Sequence, residues 1–583
     1  MKICYTFIIS KIIGGPKMAK RRKANVKKIA RLIILLALVI IIVLFTTKLI
    51  NNLFSPSETM YISSTTNQID LYDENLKPAS TIYRGTKVEI DQNNTLKDNK
   101  EYIKLQIDKK TYYINRENLV KAKEKIVQEE KIYIRTATVL LKEPTSIDIV
   151  SNLPKTTELQ VISYDKIDEQ GNINMYKVKY KNQEGYVYGK YTVLNQAQSQ
   201  EKYNLEVHKK IKNLYGGGEV DTLDFFPVEK IQFENNKMPE SVYSLYLNGT
   251  QKVLSKVDDY IALAKETKIN SFVVDIKDNG SIGYESEVMK EISPTSYKYA
   301  NNTKKEYTQV IQKLKDAGFY VIGRITVFKD DYYVQDHPEN AIVKTGTTIP
   351  YKIGNSYWPT AYSRDVWEYN VSLALEAIEE FGFNEINFDY VRFPDRTQKL
   401  ESNNTIDFKN EYNEDKVEAI QNFLRYAADA IHQKGAYISV DVFGESSNNY
   451  YTTAYGQYWP ALSNVVDVIS AMPYPDHFAN NSYGINKPWN HPYDLINAWS
   501  KEVIKRQNDT TSPAIVRTWV QAYNVQGWVD PNGIEYNGEE VQAQIQALYD
   551  NNLTGGYITW HSGSNIEKYN KQKSAFKIDY LKE

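Results

Sequence analysis

Eight short runs rich in β-branched and aromatic residues recur between about residues 240 and 563, and most are separated by stretches with the apolar spacing of an amphipathic helix. The runs are "VYSLYLN", "SFVVDIKD", "YVIGRITVF", "EINFDYVRF", "YISVDVFGE", "VVDVISAMPY", "AIVRTWVQAY" and "GGYITWHS". Helical stretches such as "TQVIQKLKDAG" and "EAIQNFLRYAADAIHQKG" lie between them. Glycine often precedes the next strand, as in "DAGFYVIG", "QKGAYISV" and "TGGYITW", the pattern of a helix C-cap followed by strand entry. Eight β-then-α units over residues 239–578 predict an α/β fold, a (β/α)8 TIM barrel. A doubly wound open sheet is the alternative. It wants a glycine-rich phosphate loop after its first strand, and "LYLNGTQKVL" does not supply one.

The N-terminus adds a membrane signal. Residues 32–47, "LIILLALVIIIVLFTT", carry no charge, and the run extended through Phe54 with Lys48 snorkelling approaches the roughly 20 residues that span a bilayer. Residues 32–54 are therefore predicted to be a transmembrane helix. Eight lysines and arginines and no acid lie between Lys17 and Arg31. By the positive-inside rule residues 1–31 form a cytoplasmic tail, and everything beyond about residue 55 is extracellular on a single-pass membrane protein. A cleaved signal peptide is the rival reading, but the run is long for one and no small-x-small site follows. Translation starts at Met1 or Met18; the sole cysteine, Cys4, precedes the second.

Between helix and barrel, residues 58–121 and 131–195 read as two copies of a small all-β unit. Each has a polar turn, an alternating strand, a variable polar loop and a hairpin of period two, and "KAKEKIVQEEK" separates them. Each resembles the bacterial SH3-like domain common in envelope proteins, the second more closely through its "GYVYGKYTV" ending. The resemblance implies peptide or cell-wall binding; a spacer that lifts the barrel off the membrane is the other reading. Residues 196–238, polar and carrying three consecutive glycines, are predicted to be a linker.

With 71 basic and 72 acidic residues, the formal charge of −1 gives no reason to expect a nucleic-acid partner. One cysteine excludes a disulfide framework and a thiolate metal site. The six histidines, His208, His337, His432, His477, His491 and His561, show no ligand spacing, so no metal and no cofactor is expected. The 47 tyrosines suit sugar-binding surfaces, and half-buried strand positions account for them equally well.

Strand parity locates a candidate site. Alternate strand residues share a face. In "EINFDYVRF", Ile386, Phe388 and Tyr390 oppose Asn387 and Asp389. Val274 and Ile276 oppose Asp275 and Lys277; Ile325 and Val327 oppose Arg324 and Thr326. Ile438, Val440 and Val442 oppose Ser439, Asp441 and, past a turn, Glu445; Val516 and Val520 oppose Arg517, Trp519 and Gln521. The apolar sets should pack on the helices, so the polar sets point into the lumen and gather at the C-terminal mouth, where barrel enzymes work. One inward aspartate is usually an ion-pair partner. Five strands sending polar groups to one end is a costly arrangement for stability alone.

No G-x-S-x-G elbow supplies a serine nucleophile, and a metal-dependent or serine-dependent esterase or deacetylase cannot be assembled. What remains, paired carboxylates with arginines and aromatic rings, suits glycosidic cleavage, in which one carboxyl donates a proton and another attacks or activates water. "FVVDIKD", "INFDYVRFP", "VDVFG", "ISAMPYP" and "GGYITW" resemble the glycoside hydrolase-like barrel domain of membrane-anchored bacterial envelope proteins, over about residues 240–575. That resemblance implies a hydrolase acting on a cell-wall or envelope polysaccharide, a peptidoglycan-type glycan included. A glycan-binding scaffold that has lost its chemistry is the alternative. Asp389 is expected as nucleophile or base, oriented by Asn387 and held ionised by Arg392 or Arg324. The partner acid is Asp441 or Glu445, with Asp476 a second choice. Asp275 and Lys277 are expected to bind sugar, together with Gln521. Tyr474, Trp519 and Trp560, with Trp358 and Trp489, are candidate stacking floors.

Overall fold

The computed structural model describes residues 19–53, 57–91, 93–208, 216–448 and 452–582. Cys4 and the tail ahead of residue 19 lie outside the described residues. The chain divides into two compact units, residues 1–128 with 167–172, and residues 129–166 with 173–583.

In the first unit, helix α1 spans Ala19–Leu53. Its segment Lys28–Thr47 has a mean hydropathy of 3.1 and is long and apolar enough to cross a membrane, as a span or as a signal sequence. Residues 58–120 of the same unit form a three-stranded and a five-stranded antiparallel sheet around Ile62, Leu71, Ile103 and Ile114.

The second unit is built on a barrel of parallel strands: β1 (Val242–Leu247), β2 (Ser271–Asp278), β3 (Tyr320–Thr326), β4 (Glu385–Asp389), β5 (Tyr437–Phe443), β6 (Val468–Met472), β7 and β8 (Gly556–Trp560). Neighbours pair in chain order from β1 to β6, and β8 returns to β1. Strand β7 closes the ring in two halves: Ile515–Val516 pairs with β6, and Thr518–Gln521 pairs with β8. Two helices flank the middle of the barrel, α2 (Arg364–Phe381) and α3 (Lys416–Gln433). The helical runs end where the glycines foretell, with Gly318 and Gly435 at φ +87° and +73° ahead of β3 and β5, a conformation that side chains resist.

Strand parity holds through most of the ring. Leu245, Val274, Ile325, Phe388, Val440, Ile469 and Val520 join the outer core beneath the helices. Val273, Ile322, Tyr437, Trp519 and Ile558 fill the lumen. At the lumen floor Arg517 forms a buried ion pair with Glu385 (2.7 and 2.9 Å), and Tyr320 donates to the same carboxylate at 3.0 Å. Pairing of this kind offsets much of the cost of a buried charge, although Arg517 Nε is left without a hydrogen-bond partner.

The β module at residues 131–193 forms a seven-stranded sheet that is continuous with the barrel's packing. Its Val139, Leu141 and Met175 belong to the barrel's outer core. Asp429 on α3 accepts hydrogen bonds from Lys190 at 2.6 Å and Tyr191 at 2.8 Å, and Arg364 on α2 donates to Asn152 at 2.8 Å. The segment predicted as a linker packs as well: Leu205, Val220, Leu223 and Phe225 cluster with Val417, Tyr458 and Ala461, while residues 209–215 lie outside the described residues.

Candidate active site

The lumen's polar residues converge at the C-terminal ends of β2 to β5. Arg324 on β3 is the hub. Its Nη1 donates to Asp275 Oδ1 at 2.7 Å, its Nη2 to Asp389 Oδ2 at 2.5 Å, and its Nε lies 3.9 Å from Asp441 Oδ2. Asp278 stands 3.6 Å from the same guanidinium. Burial works to lower the Arg324 pKa, and the charges of Asp275, Asp389 and Asp278 outweigh it and raise it well above the arginine range.

Asp389 ends β4. Its Oδ1 accepts the backbone N–H of Tyr390 at 2.6 Å, which with Arg324 fixes both oxygens. Asp441 sits opposite on β5, since the ladder pairs Asn387 with Ser439 and Phe388 with Val440. Its Oδ1 accepts from Asn387 and from the Trp519 indole, each at 2.8 Å, while Oδ2 is buried without a hydrogen-bond partner. Burial first, and the charge of Asp389 second, push the Asp441 carboxyl well above the carboxylate range, outweighing Arg324, Asn387 and Trp519. Asp275 is pushed up to about 6 by burial, with Arg324 opposing and Asp278 adding to the rise. Tyr246 donates to it at 2.5 Å. Burial thus disfavours the charged form of one carboxyl, while a guanidinium pairs with the other.

Arg324, Asp389 and Asp441 line a cavity of about 200 Å³ at the barrel mouth, with Asp278, Arg392 and His477 completing its polar wall, while Asp275 lies buried behind Arg324 and outside the lining. Tyr390, Phe443, Met472, Tyr474, Trp519 and Trp560 make the apolar wall. The rings brace one another: Trp519 meets Trp560 edge-on at 5.5 Å, and Tyr474 stacks on Trp560 at 6.4 Å.

Several expected residues stand elsewhere. Lys277 does not face the lumen, because a register shift between Asp275 and Lys277 turns it under α2. There it bonds Asp330 at 2.6 Å and Asn370 at 2.9 Å. Asn387 orients Asp441 rather than Asp389. Arg392 does not bond Asp389; its Nη1 bonds Phe393 O and Asp395, and its guanidinium lies 4.4 Å from the Phe443 ring and 5.0 Å from Trp358. Glu445 follows β5 in a 3-10 turn, outside the cavity lining, and accepts from Tyr455 at 2.9 Å. Asp476 and Gln521 hold the loops after β6 and β7 together, with Tyr523 donating to Asp476 at 2.7 Å. Trp489 is buried under the loop after β7 and donates to Asp530. Parity also misplaces Tyr390, whose φ of +51° swings it from the helix face into the cavity. Among the described residues no group of three or more His, Cys, Asp or Glu is arranged to hold a metal ion.

Fold and site define a barrel of the glycosidase class. The chain belongs to the family described as a putative glycosyl hydrolase domain, whose model matches residues 244–566, more than half of its length. It is similar to a hypothetical protein from Ruminiclostridium thermocellum ATCC 27405, 35% identical over 34% of this chain and 97% of that one, with a TM-score of 0.29. It is also similar to the PgaB (BpsB) glycoside hydrolase domain from Bordetella bronchiseptica (12% identity, 59% of this chain and 100% of that one, TM-score 0.41). A third likeness is to a β-N-acetylhexosaminidase from Bacteroides fragilis NCTC 9343 (14% identity, 58% and 66%, TM-score 0.40). No curated protein matches the chain.

Proposed function

We propose that the chain is a membrane-anchored extracellular glycosidase that cleaves a cell-wall or envelope polysaccharide with retention of configuration. The reading is carried by one observation: Asp389 and Asp441 face each other from adjacent strands beside Arg324, inside an aromatic-walled cavity. Adjacent strands lie about 4.8 Å apart, close to the roughly 5–5.5 Å between the carboxyl groups of a retaining pair. Asp441, neutral through burial, gives its proton to the leaving glycosidic oxygen. Asp389 attacks the anomeric carbon as that bond to oxygen breaks, forming a glycosyl ester. Asp441 then takes a proton from the incoming water, and the released sugar keeps its configuration. Arg324 donates to Asp389 and fixes the orientation of its carboxyl group, and Trp560 and Tyr474 supply apolar faces for the ring. Helix α1 anchors the chain with its basic end inside, and the module at 58–121 contacts the wall.

The test is release of reducing sugar from a wall-polysaccharide preparation by the full chain. Asp389→Asn and Asp441→Asn should each lose about 10²–10⁴-fold in kcat while still unfolding in one cooperative transition. Full activity in Asp389→Asn would overturn the assignment, and an inverted product anomer by NMR would overturn retention.

A further inference from the structure

Trp528 is the most exposed large hydrophobic side chain among the described residues, at 77%. It lies between β7 and the next helix, at the tip of a turn closed by backbone bonds from Val529 and Asp530 to Gln526 O (2.8 and 3.1 Å). The loop has an apolar interior of its own, in which Trp489, Val525 and Tyr536 are buried. Asp530 pins that interior by accepting from Lys487 at 3.0 Å and from the Trp489 indole at 3.1 Å. The indole of Trp528 is therefore left out of an available core, on a turn held from beneath. The same loop is tied to the active-site rim. Tyr523 and the Gln526 amide both donate to Asp476, which stands between Tyr474 and His477 of the cavity wall.

The cavity of about 200 Å³ is smaller than the roughly 300–1,000 Å³ that holds a drug-sized ligand, so a glycan with one ring inside must continue over the rim. We propose that Trp528 is a stacking platform for a sugar residue outside the cavity, on the side of the loops after β6 and β7. The ligand class is a polysaccharide of at least several residues. An indole offers a wide, flat apolar face with little side-chain entropy to lose, which suits the apolar face of a pyranose. The proposal rests on the glycosidase reading above and adds to it where the chain of the substrate runs.

Size-fractionated fragments of the wall-polysaccharide preparation test it with the full chain. In the wild type kcat/KM should rise with fragment length; in Trp528→Ala the advantage of long over shortest fragments should fall about tenfold, and Trp528→Tyr should restore most of it. Unchanged length dependence in Trp528→Ala would overturn the platform while leaving the glycosidase reading intact. If the wild type cleaves nothing, co-sedimentation of the Asp389→Asn chain with insoluble wall glycan still decides: loss of binding on adding Trp528→Ala supports the platform, and undiminished binding, or no binding at all, overturns it. Retained glycan binding with lost binding to lipid vesicles would assign Trp528 to the membrane surface instead and likewise overturn it.

Discussion

Trp519 on β7 donates its indole N–H to Asp441 Oδ1 at 2.8 Å across the lumen. Asn387 donates to the same oxygen, so Oδ1 is committed as an acceptor and Oδ2 is the oxygen left without a hydrogen-bond partner. The same ring lines the cavity, so one side chain both bonds Asp441 and shapes the wall beside it. Trp519→Phe keeps the wall and removes a donor that favours the charged form. The Asp441 carboxyl should rise further, so the alkaline limb of the kcat profile should move to higher pH and kcat should fall about tenfold from lost orientation. A merely structural tryptophan would lower the melting temperature without moving that limb.

Asp441 makes the site costly for the fold. Its pKa is raised in the folded chain, so the native state binds more protons than the unfolded state once pH exceeds the ordinary aspartate range. Stability therefore falls as pH rises from about 4 toward the raised value. Asp275, pushed up to about 6, contributes with the same sign between about pH 4 and 6. Asp441→Asn should accordingly raise the melting temperature at pH 7 to 8 relative to the wild type while abolishing activity, and give no gain at pH 4. Equal melting at all pH values would show that burial of Asp441 is not being opposed by its charge.

Much of this site is legible in the sequence because strand periodicity is strict where the outer face is packed. Ile386 and Phe388 must meet α2 and α3, and that alone sends Asn387 and Asp389 inward; Val440 does the same for Asp441. The reading fails where backbone geometry departs from the pleat. A register shift after Asp275 turns Lys277 outward, and the left-handed Tyr390 brings an aromatic ring into the cavity. Neither departure has a glycine to announce it. The contributions of Asp278, Phe443, Met472 and His477 come from strand ends and loops whose direction no periodicity fixes. The fusion of residues 131–193 to the barrel was hidden for another reason: Val139, Leu141 and Met175 read as the interior of a small module and serve the larger core.

Lys277 offers a direct separation of structural from substrate-binding roles. It is 1% exposed, paired with Asp330, and Asp330 in turn caps the helix that follows β3 through the Tyr333 amide at 3.0 Å. Lys277→Ala leaves that carboxylate buried and unpaired, which should cost about 3–5 kcal/mol. Lys277→Met with Asp330→Asn should recover most of the loss. In both variants kcat/KM per folded molecule should stay within about twofold of wild type; a large rise in KM without loss of stability would return Lys277 to the sugar site.

All eight tryptophans lie between Trp358 and Trp560, so tryptophan fluorescence, excited selectively over tyrosine, reports unfolding of the barrel and is blind to the module at 131–193 as a separate body. Leu141, 4% exposed, sits on that module and packs within the barrel's outer core. Truncating a buried leucine removes apolar contact and leaves a cavity, at a cost of about 2–5 kcal/mol. If the module were an independent targeting domain, Leu141→Ala would lower a transition that tryptophan does not see. Because it shares one core with the barrel, we expect Leu141→Ala to lower the fluorescence-detected melting temperature, in one transition coincident with far-UV circular dichroism. An unchanged fluorescence transition with an earlier loss of β-sheet signal would show that the module folds apart from the barrel it touches.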